Sequence, residues 1–241
     1  MAIIVITSTL WAQEFKEQQM QNGRVQKAYR EKGLMMKSLI QANGLDSNSL
    51  QIFIRAFKDK QKFEVWGRDS LREQFVLLKA YRICRIPGEA GPKREQGDRQ
   101  IPEGCYHIDH FNPWSSFHLS LRINYPNASD RLLSDKKHPG GEIYIHGSCV
   151  TIGCIPMTDE MIEEIYILAV EAKNNGQENI PVYIFPCRMS GDGYSGMKEK
   201  HAEDEDLLDF WTNLEEAYLF FEMNKTLPEF IVDEKGRYCF R

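Results

Sequence analysis

The sequence predicts a mainly β protein with helical extensions, an α+β chain in which a β-rich core lies between helical ends. Three observations carry this. Runs rich in β-branched and aromatic residues recur between residues 51 and 185, several with period-two alternation. Helix-spaced apolar positions occupy residues 14–42 and the region after 203. Clusters of Gly, Pro, Asn and Asp separate these segments.

In order along the chain, Phe15, Val25, Ala28, Tyr29, Leu34, Met35 and Leu39 recur at helical spacing, and Gly23 and Gly33 are expected to interrupt the helix. Gln51–Phe57 is rich in strand formers. A turn at Lys58-Asp59-Lys60-Gln61 leads into Phe63-Glu64-Val65-Trp66, which alternates. Phe75–Ile86 reads as a long strand. The Gly, Pro and charge-rich stretch from Pro87 to Gly104 reads as a bland loop or a functional one, and its length, unusual for a passive connection, favours the second. Tyr106–His110 and Phe117–Tyr125 are further strands, and Glu142–Ile145 leads into the next loop. Thr158 is placed to cap a helix whose first turn carries Asp159 and Glu160, with Met161, Ile162, Ile165, Leu168 and Ala169 as its apolar face. Pro181–Phe185 is a closing strand. Gly191, Gly193 and Gly196 predict a flexible break, before an acidic helix start at 203–206 whose apolar face includes Leu207, Phe210, Trp211, Leu214 and Tyr218. The expected units are 1–47, a leader or helical segment; 48–190, a catalytic domain; and 191–241, a helical extension packed on it.

The chain has 241 residues, enough for one sizeable core, and a formal net charge of −5, which does not indicate a general nucleic-acid surface. The six cysteines form no CxxC pair and are too sparse for a disulfide scaffold. No segment is apolar for long enough to span a bilayer. The apolar run from Ala2 to Ala12 reads either as a secretory leader, although no Lys or Arg precedes it, or as a first strand.

The segment that carries chemistry is His146-Gly147-Ser148-Cys149-Val150-Thr151-Ile152-Gly153-Cys154. It joins a strand end to a helix start, where a nucleophile is both exposed and held. A thiolate is the reactive form of cysteine, and an adjacent imidazole favours it by pairing as the cation. Cys154 is therefore expected to be the nucleophile and His146 the base. Backbone N–H groups of Gly153 and Cys154 are candidate oxyanion donors. Spacing alone does not separate Cys149 from Cys154; Cys154 is favoured because it lies nearer the helix N-terminus. Cys149 is then a packing residue or a partner for a disulfide with Cys154. His118, which a strand would place on one face with Ser116 and Ser120, is expected to help shape the substrate cleft, and Ser148 and Thr151 are candidate substrate contacts. Lys93, Arg94, Arg99, Arg122, Arg131 and Arg188 are basic groups that could meet substrate carboxylates. His107, Asp109, His110, His118, His146, Cys149 and Cys154 match no zinc spacing, so no metal is expected.

At these residues the chain resembles the L,D-transpeptidase catalytic-domain family. The family pattern of histidine-glycine, then serine or threonine, then glycine-cysteine is matched by His146-Gly147, Thr151 and Gly153-Cys154. The likeness extends to Gly91-Pro92-Lys93, Gly97-Asp98, Pro102-Glu103-Gly104-Cys105-Tyr106, Tyr125-Pro126-Asn127, Asp130-Arg131, Gly140-Gly141, Thr158-Asp159, Phe185-Pro186, Arg188-Met189 and Phe210-Trp211. The resemblance implies a β-sandwich-like core and acyl transfer on peptidoglycan stem peptides through a Cys154 thioester. It implies no cofactor, and a periplasmic or otherwise exported location. It also implies an alternative, a hydrolase of carboxypeptidase or amidase type using the same thiol; a reading of another class is a silent wall-binding module, against which the presence of both Cys154 and His146 speaks. Many family members carry an arginine two residues after the cysteine. Here that position is Pro156, and Arg188 is a candidate replacement. The resemblance leaves the oligomeric state open.

Overall fold

The computed structural model describes residues 14–241; the run from Ala2 to Ala12, and with it the choice between leader and first strand, lies outside the described residues. The chain is mixed α+β, organised on one curled eight-stranded sheet. Its elements are α1 (Gly23–Ala42), β1 (Gln51–Phe57), β2 (Lys62–Asp69), β3 (Arg72–Arg82), β4 (Gly104–Asn112), β5 (Ser120–Ile123), α2 (Ala128–Leu133), β6 (Tyr144–His146), β7 (Ile155–Pro156), α3 (Asp159–Asn174), β8 (Ile180–Phe185), α4 (Gly191–Lys200), α5 (Glu205–Asn224), β9 (Phe230–Val232) and β10 (Tyr238–Phe240). The sheet order is β3-β2-β1-β8-β4-β5-β6-β7, with β9 and β10 as a separate hairpin. Pairs β1–β8 and β6–β7 are parallel and the rest antiparallel.

Both faces of the central strands are covered, which explains why β1 reads as a nearly continuous apolar run. Alternate residues go to different cores. Ile52, Ile54 and Ala56 of β1 join Val182 and Ile184 of β8 in one core with α1 and α3. Phe53 and Phe57 join Tyr183 and Phe185 in a second core with Trp211, Leu214, Tyr218 and Phe221 of α5. The sheet curls far enough that its two arms share the first core: Phe63, Val65 and Leu78 from one, Leu121, Ile145 and Ile155 from the other. At the seam the Cys84 N–H, just after β3, donates to Pro156 O of β7 at 2.9 Å. A Cys84–Cys149 disulfide closes the same seam, with 5.3 Å between Cα atoms.

Several local expectations change. Gly33 does not interrupt the N-terminal helix, but residues 20–22 do, and Asn22 then caps α1 by accepting from Arg24 N at 2.8 Å. The triple-glycine region is helical: α4 forms because Tyr194 is buried in the second core, and tertiary packing outweighs weak helix propensity. Thr158 caps α3 as expected, accepting from Met161 N at 3.2 Å. The strand around His118 is shorter than its pattern, because β5 begins only at Ser120.

Candidate active site

The outer face of β5, β6 and β7 carries the candidate site. Ile143, Ile145 and Ile155 point into the core, and the register pairs Ile145 with Ile155 and His146 with Pro156. Tyr144 and His146 therefore lie on the opposite face, together with Cys154, whose Sγ accepts from Tyr144 N–H at 3.4 Å. The intervening loop is pinned at its base. Met157 N–H donates to His146 O (2.7 Å), Ser148 N–H to Asp159 Oδ1 (2.8 Å), and Gly147 N–H to Phe117 O (3.0 Å). Gly147 admits no larger residue: a Cβ there would sit 2.5 Å from Asp159 Oδ1 and 3.0 Å from His118 Cβ. Gly153 holds φ +151 with Gln100 O of the 87–104 loop close against it, so glycine is required by both conformation and space.

The sulfur and the imidazole are both shielded. The Cys154 S–H donates to Glu142 O at 3.6 Å. Burial pushes this thiol above the ordinary cysteine range, opposed by the Tyr144 N–H and the nearby Lys93 charge. His146 is buried, with Phe117 against its ring at 4.8 Å between centroids. Its Nδ1 lies 2.6 Å from Gly147 O. A carbonyl can only accept, so Nδ1 carries the proton and Nε2 keeps the lone pair. Burial holds the imidazole below its ordinary pKa, partly offset by that hydrogen bond. The shifts run opposite to a preformed thiolate–imidazolium pair. Both shifts favour a neutral thiol and a neutral imidazole, and no hydrogen bond joins their side chains.

Other expected residues fall in different roles. Thr151 Oγ1 accepts from Gly153 N–H (3.0 Å) and donates to Cys154 O (2.8 Å). It is thus a brace within the loop, and it occupies the Gly153 N–H expected to serve an oxyanion. Ser148 is exposed, and its N–H anchors the loop to α3. His118 Nε2 pairs with the buried Glu163 at 2.9 Å, and its carbonyl accepts from Arg24 Nη1 at 2.6 Å. It holds the loop carrying Phe117. Arg188 does not replace the missing arginine: its guanidinium bonds Glu64 of β2 at 2.8 Å and lies over the Phe57 ring, with the second core rather than with Cys154. Cys149 bonds Cys84, not Cys154.

Sequence reasoning missed Tyr144 N–H and Phe117. Neither has a residue-type signal, since one is a backbone group and the other an aromatic in a strand-like run. The 87–104 loop is fastened by Glu103, which is fully buried and bonds Lys58 Nζ (2.8 Å), Gly91 N–H (2.9 Å) and Trp211 Nε1 (2.8 Å). Through it α5 braces the loop that carries Gln100 and Lys93. A cleft of about 720 Å³ opens on the loop's other side, lined by Arg94, Gln100, Leu207, Phe210 and Arg237. Among the described residues, no three His, Cys, Asp or Glu side chains are grouped to hold a metal ion, and no helix is long and apolar enough to cross a membrane.

Residues 52–184 match the YkuD family, described as the L,D-transpeptidase catalytic domain. YafK of Escherichia coli (strain K12), whose name marks it as a presumed L,D-transpeptidase, is 34% identical over 189 residues, 78% of this chain and 72% of its own length. Among solved structures, the helical cell shape determining protein Pgp2 from Campylobacter jejuni aligns at 19% identity and TM-score 0.45. That alignment covers 63% of this chain and 55% of Pgp2, so this chain spans about half of that structure. Bdellovibrio bacteriovorus Bd1075 aligns at 20% identity and TM-score 0.42, covering 73% of this chain and 64% of Bd1075.

Proposed function

We propose, from the premise that the chain belongs to the L,D-transpeptidase catalytic-domain family, that it is a cysteine acyl transferase acting on peptidoglycan stem peptides. One observation carries the mechanism: His146 and Cys154 share the outer face of β6–β7, and Gly147 O fixes the proton on Nδ1, leaving Nε2 as the base. As Cys154 Sγ bonds to the substrate carbonyl carbon, its proton passes to Nε2. The tetrahedral oxyanion is met by the backbone N–H of Cys154. One such donor is typically worth about 2.7–4 kcal/mol in the transition state. The imidazolium then protonates the departing amine as the C–N bond breaks, leaving a thioester on Cys154. An incoming amine attacks the thioester carbonyl and gives its proton to Nε2; the C–S bond then breaks and the imidazolium returns that proton to the Cys154 sulfur. If water enters instead, the same chemistry is a hydrolysis.

The Cys84–Cys149 bond supports a periplasmic or otherwise oxidising location, where disulfides persist. The test incubates the purified protein with muropeptides and with a carbapenem, read by mass spectrometry. Wild type should acquire a carbapenem adduct mapped to Cys154, absent from Cys154→Ala, and should convert stem peptides. Cross-linked or exchanged products mark transfer, and trimmed products mark hydrolysis. A folded, reduced protein that forms no adduct would instead fit a silent wall-binding module.

A further inference from the structure

Helix α1 precedes the sheet and contributes no strand to it, yet one of its side chains reaches the candidate site. Asn22 caps the helix and places Arg24 in its first turn. One nitrogen of that guanidinium, Nη1, donates to two backbone carbonyls, Ser115 O at 2.5 Å and His118 O at 2.6 Å. Both lie in the β4–β5 connection, residues 113–119. Two carbonyl dipoles brought to one point repel each other, and a cation between them turns the repulsion into two charge-assisted hydrogen bonds. His118 also holds φ +67, a left-handed conformation that non-glycine residues seldom adopt. Its ring is tied to Glu163 of α3 at 2.9 Å, and Lys32 of α1 holds the other oxygen of that carboxylate at 2.9 Å. Two helices thus clamp the connection in a backbone geometry that costs energy to hold.

What the clamp holds is Phe117. Its N–H donates to Ser115 Oγ at 3.0 Å, its carbonyl accepts from Gly147 N–H at 3.0 Å, and its ring lies against the His146 imidazole. Gly147 is also the residue whose carbonyl keeps the proton on His146 Nδ1. Asp159 anchors that residue from the other side, through Ser148 N–H at 2.8 Å. A chain of contacts therefore runs from Arg24, through the Ser115–His118 turn and the Gly147 backbone, to Nδ1–H. The acyl-transfer steps use its last link and leave the first ones unexplained.

We propose that Arg24 is a positioning residue for His146: by holding the Ser115–His118 turn it fixes Phe117 against the imidazole and Gly147 at Nδ1, so that Nε2 is the nitrogen left to take the thiol proton. This rests on the acyl-transfer reading above, with His146 as the base. Arg24 itself touches no reacting atom. Without its charge the two carbonyls move apart, Phe117 is released from the ring, and Gly147 loses one of its two anchors. The hydrogen bond that selects the tautomer then weakens. The Nε2–H form, which free imidazole prefers, gains population and leaves no lone pair on Nε2. A base in that form accepts no proton, so acylation slows as the Nδ1–H population falls.

The experiment takes the full chain labelled with ¹⁵N-histidine and measures two quantities. One is the rate at which a carbapenem acylates Cys154, followed by mass spectrometry. The other is the pair of ¹⁵N shifts of the His146 ring, assigned by their loss in His146→Ala, which tell a protonated nitrogen from an unprotonated one. Well above the acid limb, wild type should show Nδ1 protonated and Nε2 bare. Arg24→Met should slow acylation roughly 10–100-fold and draw the two shifts toward each other, as the tautomers mix. Arg24→Lys, which keeps a cation with donors for both carbonyls, should recover most of the rate and the wild-type shifts. Arg30→Met, which removes a charge from an exposed position on the same helix, should change neither readout. Urea midpoints report folding. If Arg24→Met does not fold, Arg24→Gln, polar but too short to bridge the two carbonyls, carries the same expectation. A folded Arg24 variant of either kind that acylates at the wild-type rate overturns the proposal. So does a slow one whose His146 shifts are unchanged, because the loss then does not pass through the tautomer. Both results leave His146 as the base. Acylation that His146→Ala fails to slow removes the base reading itself, and the positioning role with it.

Discussion

The Cys84–Cys149 bond fastens the loop between His146 and Cys154 to the far end of the sheet, and removing it makes a measurable prediction. The bridged residues are 65 apart in sequence. Loop-closure entropy for a ring of that size corresponds to about 4 kcal/mol at 25 °C, present when the bond is formed and absent when it is reduced. With a urea m-value of about 2.5 kcal/mol/M, the midpoint should fall by roughly 1.5 M. Cys84→Ser, Cys149→Ser and the double variant should fall together, because each removes the same single bond. Wild type in excess dithiothreitol should fall with them. Cys154 is a free thiol apart from this pair, so all four samples should still form the carbapenem adduct in the absence of urea. Two results would refute the reasoning. One is a midpoint that does not move on reduction. The other is a non-reducing digest in which Cys149 is joined to Cys154.

Two further outcomes test the site and its scaffold. Because burial holds His146 below its ordinary pKa of about 6.5, the imidazole, the proposed base, is neutral at pH 7 and that form is lost only as pH falls further. The acid limb of kcat/KM should therefore lie below pH 6.5; His146→Ala should remove it and slow acylation by roughly 10²–10⁴-fold, and Phe117→Ala, which exposes the ring, should move it upward. A wild-type limb above pH 7 would contradict the neutral pair. Glu103→Gln should destabilise the fold by about 3–5 kcal/mol, since it leaves Lys58 buried without its anion; denaturant unfolding measures this, and a loss below about 1 kcal/mol would show that the clasp is dispensable.

What the sequence determined by itself was local and periodic. The alternation Ile143, Tyr144, Ile145, His146 already assigned the isoleucines inward and the histidine outward, because a strand turns over its side chains every residue. Thr158 announced its helix, since capping needs only a hydroxyl within reach of the first free N–H groups. The resemblance at His146-Gly147, Thr151 and Gly153-Cys154 pointed to the loop proposed to react. What tertiary structure alone decided depended on chain segments that meet from far apart. The curl of the sheet brought Cys84 to Cys149, rather than leaving Cys149 for its near neighbour. It also left Arg188 with Glu64 and over the Phe57 ring, on the second core rather than with Cys154, so a basic residue that suited the chemistry by type stands in the wrong place. The parallel pairing of a two-residue strand set the sulfur beside Tyr144 N–H, and no side-chain pattern encodes a backbone donor. The protonation states of His146 and Cys154 were likewise out of reach of the sequence. They follow from burial, and burial is a property of everything packed around a residue rather than of the residue itself.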